Sequence, residues 1–230
     1  MVYNIAVCVT YFFEMFIAYI FFSQIGNKKV KTLHCFVVGT VIFETGALFN
    51  LVLSNIVWFN VIYFFIINFV FSVICFKIKI SRALFYSLIL DIASTALEFA
   101  SIFLISILTD TKTNEYLNDI TFYILDVTIS KLLYLLTCLI IVRFVKKEKA
   151  NFKLPIGLYF YPLAVISGLI IFWDICAKSS ISNTHQIALS ILSAVLFASI
   201  IILFISYQRS IEKENNLMLM QNELERVNTD

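Results

Sequence analysis

IALSILSAVLFASIIILFISY, residues 187–207, runs directly into QRSIEKENNLMLMQNELERVNTD, residues 208–230. Neither half contains Gly or Pro, so nothing in its chemistry forces a helix to stop. The first half is long and apolar enough to cross a bilayer. The second turns abruptly polar but stays rich in strong helix formers. One unbroken helix over both would reach roughly 66 Å at about 1.5 Å per residue, about twice a hydrocarbon core. The reading is a membrane span that continues as a rod into the adjoining water. That shape suits the export of a mechanical signal from a membrane domain.

The remainder of the chain agrees with a membrane setting. Of its 230 residues 61% are hydrophobic and only 14% charged, with 24 Phe and 11 Tyr. A soluble domain carries about 45–50% apolar and about 25% charged residues. Two Pro and five Gly leave few breaks, which favours long helices over a barrel of short strands. Apolar runs fall at 4–25, 33–53, 56–76, 83–108, 121–145, 156–177 and 187–207. The expected fold is all-α, a polytopic bundle of seven transmembrane helices over 1–207, with 208–230 as a linker helix or short coiled coil. MVYNIAVC has no basic residue, so the first run is expected to stay as a span and not to be cleaved as a signal peptide.

Charge sets the expected orientation. The linkers GNKKVKT, KIKISR and KKEKANFKLP are basic, as is the segment after the last run. They alternate with SN, TDTKTNEYLNDI and KSSISNTHQ, which hold only Lys112 and Lys178. The positive-inside rule then places the N-terminus outside and the C-terminus in the cytoplasm, with an odd number of spans. Because the basic residues sit in these linkers, the small positive net charge carries no nucleic-acid signal, and membrane lipid is the expected surround.

Several charges lie within the apolar runs: Glu14, Glu44, Asp91, Glu98, Asp126, Lys131 and Asp174. Each costs several kcal/mol against lipid, so each is expected to point inward or toward water. Asp91 and Glu98 are two helical turns apart and share one face. Lys131 is the sole interior base, with Glu98 or Asp126 as its natural partner. Glu98, Asp126, Lys131, Asp174 and Trp173 form the expected ligand-binding set. Glu14, Glu44 and Asp91 count as further intramembrane polar groups. A buried ion pair that only fixes helix packing is the competing reading, and interfacial anchoring is the plain reading of Trp173.

Catalysis finds no support. His34 and His185 have no second ligand at metal spacing, and the chain lacks a phosphate-binding glycine loop, a nucleophile elbow and HExxH. Neither a metal nor a cofactor is expected. The five cysteines are scattered without a CxxC pair and read as small buried hydrophobes. Ser190, Ala194 and Ala198 give the seventh run a small-xxx-small packing face. Beyond it Leu217, Met220, Leu224 and Val227 follow a 3-4-3 spacing, the a and d positions of two heptads and a candidate homodimer seam.

Phenylalanine-rich spans, short outer loops and the SIEKENNLMLMQNELE helix together resemble the membrane sensor region of peptide-pheromone receptor histidine kinases of the accessory-gene-regulator type. The resemblance implies a bacterial cytoplasmic membrane, an extracellular peptide or lipophilic signal, and a dimer that passes the signal through its last span. It covers the architecture of the whole chain but rests on texture alone in the tail. No histidine box, asparagine box or glycine-rich ATP lid occurs in these residues. The resemblance therefore implies a sensor half, a truncated product or a kinase-less relative. Two alternatives stay open: a small transporter or substrate-binding membrane subunit that uses the interior acids, and a membrane partner whose tail docks another coiled coil.

Overall fold

In a computed structural model the described residues are 2–53, 57–109 and 120–144, together with Phe160, 163–168, Ile171 and helical positions scattered between 191 and 224. Among the described residues the protein is all-α apart from one two-residue ladder. The helices bounded among the described residues are α1 (Val2–Ile25), α2 (Thr32–Leu53), α3 (Val57–Cys75), α4 (Ile80–Thr109) and α5 (Ile120–Phe144). Among the described residues four stretches are long and apolar enough to cross a membrane: Tyr3–Ile25, Thr32–Val52, Ile80–Ile102 and Ile120–Arg143. The apolar Phe59–Cys75 of α3 is shorter. The first five apolar runs thus coincide with α1 to α5 to within a few residues.

The helices close a circuit, each packing on the next in sequence and α5 returning to α1. Residues 85–96 of α4 are buried without a break, which makes α4 the interior helix. Outward faces are apolar: Val9, Val41, Leu48, Leu136 and Ile140 are exposed, and Val52 is 79% exposed. Water would penalise such a surface, whereas hydrocarbon would not. Meanwhile Glu14, Asp91, Asp126 and Lys131 are buried. Polar groups inside and apolar groups outside are the pattern of a membrane-embedded bundle.

One end of the bundle is pinned by backbone. Two basic linkers meet as β1 (Asn27–Lys28) and β2 (Phe76–Lys77), antiparallel, with Asn27 opposite Lys77 and Lys28 opposite Phe76. The Lys29 amide donates to the Cys75 carbonyl at 2.8 Å, and its ammonium donates to the Val73 carbonyl at 2.5 Å. Two of the last carbonyls of α3 are satisfied in this way. The Lys28 ammonium donates to Tyr19 Oη at 2.6 Å and to Thr32 Oγ1 at 2.9 Å.

Just inside this ladder the core is aromatic. Phe71 meets Phe43 edge-on at 5.8 Å, Phe76 at 5.7 Å and Phe22 at 6.5 Å, and Phe21 meets Tyr86 at 6.0 Å. Rings at these separations and angles make favourable edge-to-face contacts, and they fill this end with apolar surface. Close approach of α2 to its neighbours depends on two glycines. A Cβ on Gly39 would fall 2.9 Å from Met15 Cγ and 2.9 Å from Phe71 Cε2, and one on Gly46 2.9 Å from Tyr11 Cε1. The small residues singled out on the seventh run are different positions. Of these, Ala198 is helical and exposed, while Ser190 and Ala194 lie outside the described residues.

Every described position from Ile191 to Leu224 is helical, including 216–222. Leu217, Met220 and Leu224 are exposed there, and Val227 lies outside the described residues. Cys8, Cys35, Cys75 and Cys138 carry free thiols, with all but Cys8 fully buried.

Candidate functional site

The end opposite the ladder is polar inside. Here α1, α3 and α5 begin and α2 and α4 end, and together they enclose a cavity of about 280 Å³. That volume is near the lower limit for a small-molecule site, which is about 300 Å³. It has room for a small organic molecule or the end of a peptide.

Helical spacing delivers its chemistry. On α4, Asp91, Ser94, Glu98 and Ser101 recur at three- and four-residue intervals and form one stripe. On α1, Val7, Tyr11 and Glu14 do the same, as do Tyr123, Val127 and Lys131 on α5. These three stripes converge because α1 packs on α5 and α5 on α4.

Lys131 stands at the centre and is only 4% exposed. Its ammonium donates to Glu14 Oε1 and to Glu98 Oε1, and to Ser94 Oγ at 3.3 Å. An ammonium has three protons, so its donor capacity is used in full. Ser94 Oγ in turn donates to Glu98 Oε1 at 3.2 Å. The Glu14 side chain is enclosed, whereas that of Glu98 is 40% exposed and brings the network to the cavity. Beside it, Asn50 Nδ2 donates to Tyr11 Oη at 3.1 Å.

Asp126 has a different partner from the one its sequence position suggested. Its Oδ1 accepts from Ser101 Oγ, while Glu14 takes the place beside Lys131. Five residues separate Asp126 from Lys131, roughly 140° around a helix, so Asp126 turns toward α4. Glu14 is 117 positions from Lys131 in the chain. Only the isolation of a single interior base among several acids hinted at that pairing.

Asp91 has no partner at all among the described residues. It is 1% exposed, lines the cavity, and neither carboxylate oxygen has a hydrogen bond. Glu44 on α2 lies beside the Cys8 thiol and outside the cavity. Trp173 and Asp174 fall outside the described residues. Sequence reasoning missed Tyr11, Asn50, Asn60 and Tyr123 as cavity residues. The two asparagines stand one to two turns inside the ends of apolar runs, a placement that lipid-facing positions disfavour. Among the described residues no three His, Cys, Asp or Glu side chains gather closely enough to hold a metal ion.

No protein-family model, curated protein or solved structure matches this chain.

Proposed function

We propose that this chain is the membrane sensor region of a signalling receptor. In this reading it has seven spans, an outer N-terminus and a cytoplasmic tail, and it detects a small extracellular molecule or peptide end. The observation that carries the reading is the asymmetry of the bundle: a polar cavity at one end and an aromatic seal at the other. The sealed end bears Lys28, Lys29, Lys31, Lys77, Lys79 and Arg82, the residues that the positive-inside rule assigns to the cytoplasm. A cavity open outward and closed inward suits detection better than passage.

Ligand in the cavity biases the packing of α1, α4 and α5 through the Lys131 network, and the last span passes that bias to a paired tail. Signalling of this kind requires the ligand to bind the two packings with different affinity. In this reading the histidine-kinase sensor serves as the architectural analogy, with 208–230 as the output helix of a dimer.

Met220→Cys and Leu224→Cys, each in a background without other cysteines, give cross-linked dimers whose relative yields report the register of the tail. The ratio of yields is expected to shift when Glu98→Gln loosens the Lys131 network. An unchanged ratio would contradict the relay. A proton-coupled transporter is the second reading, favoured by the buried acids around the cavity. Accumulation of a cavity ligand in proteoliposomes that Glu98→Gln abolishes would select it.

A further inference from the structure

We infer that the cavity takes a ligand carrying a primary ammonium group on an aromatic or apolar body, and that Asp91 is the group that holds the ammonium. This rests on the reading of the cavity as a ligand site.

An enclosed carboxylate with two empty acceptor oxygens is costly, and a neutral side chain of the same size would pack there at less cost. Lys131 cannot relieve it, because its three protons are given to Glu14, Glu98 and Ser94. The role of partner, empty among the described residues, falls to a ligand that supplies both donors and positive charge. Four carboxylates line the cavity, those of Glu14, Asp91, Glu98 and Asp126, against one ammonium. With the Lys131 ammonium already committed, the described lining offers a ligand carboxylate or phosphate no free counter-charge, whereas a cationic ligand finds acceptors.

The walls narrow the choice further. Tyr11, Phe64, Phe99 and Tyr123 present ring surface to the same space. Aromatic faces stabilise an ammonium over them and accommodate an apolar body beside it. A bare inorganic cation would leave those walls without a function, and no cluster of three ligating residues among those described is close enough to coordinate a divalent one. A free arylalkylamine and the free N-terminus of a short peptide share the required chemistry.

The test uses the full chain in lipid nanodiscs, with thermal unfolding and calorimetric titration as readouts. The probes are phenethylammonium, its neutral counterpart phenethyl alcohol, the anion 3-phenylpropanoate, and the dipeptide Phe-Ala amide with a free or an acetylated N-terminus. At least one free-amine probe is expected to bind and raise the unfolding temperature, while the alcohol, the anion and the acetylated peptide do not. Binding of the amine alone identifies a free-amine ligand, and binding of the unblocked dipeptide alone identifies a peptide N-terminus.

Asp91→Asn is expected to fold and to lose this binding. As a readout independent of any substitution, the bound amine is expected to slow modification of Asp91 in the unaltered chain by dicyclohexylcarbodiimide, a lipid-soluble carboxyl reagent. Equal binding of phenethyl alcohol, unchanged binding in Asp91→Asn, or no slowing of the modification would overturn the proposal, as would failure of every amine to bind. Such a failure would leave the tail cross-link ratio under Glu98→Gln untouched, so the sensor reading and the ligand assignment stand or fall separately.

Discussion

The two ends of this bundle are built from the same five helices and do opposite things. At the ladder end Phe22, Phe43, Phe71 and Phe76 are all fully buried and interlock edge to face. At the cavity end α1, α4 and α5 turn Glu14, Asp91, Glu98, Asp126 and Lys131 inward. Lipid tails are as apolar as phenylalanine, so the aromatic end gains little from hiding its side chains and much from packing them tightly. Charged groups are different, because lipid gives them no alternative partner. One end therefore draws its specificity from shape and the other from pairing. A ligand can displace the second kind of contact far more readily than the first.

That contrast predicts unequal responses to substitution. The largest is expected from Lys131→Met, which strands Glu14 in an enclosed site without the cationic partner it has among the described residues. Breaking a buried pair by removing one partner costs about 3–5 kcal/mol. Thermal unfolding in nanodiscs should show that loss, and adding Glu14→Gln should restore part of it. If the double variant is no more stable than Lys131→Met, the pair is not what holds this end together.

A smaller effect is expected from Phe71→Ala at the aromatic end. With lipid as the alternative surround the transfer contribution is muted, which leaves chiefly the cost of the cavity, about 2 kcal/mol. The same unfolding measurement checks it. A cost above that of Lys131→Met would reverse the assignment of roles to the two ends.

The sequence was informative where the physics is local. Long apolar runs bounded by charged linkers located α1 to α5 closely, because a bilayer demands uninterrupted helix over about 20 residues. Seven-residue spacing put Asp91 and Glu98 on one face, and both do line the cavity. Non-local contacts were hidden. The ladder joins Lys28 to Phe76 through linkers that show no strand pattern, and it forms only because two helical hairpins bring them together. The Lys131–Glu14 pair likewise depends on α5 closing the circuit onto α1. The aromatic seal was equally invisible: phenylalanine occurs throughout the chain, and only the packing selects which rings meet.

Accessibility tests the asymmetry most directly. With Cys8, Cys35, Cys75, Cys138 and Cys176 replaced by Ala, single cysteines at Asn60 in the cavity and at Ser72 in the sealed half are exposed to a membrane-impermeant thiol reagent. A Lys28→Cys marker reports which face of the vesicle carries the ladder. The expected result is reaction of Asn60→Cys only from the face opposite the marker, and no reaction of Ser72→Cys from either face. Reaction of Asn60→Cys from the ladder face, or of Ser72→Cys from any face, would mean that the aromatic end is not closed, and the one-ended cavity would have to be abandoned.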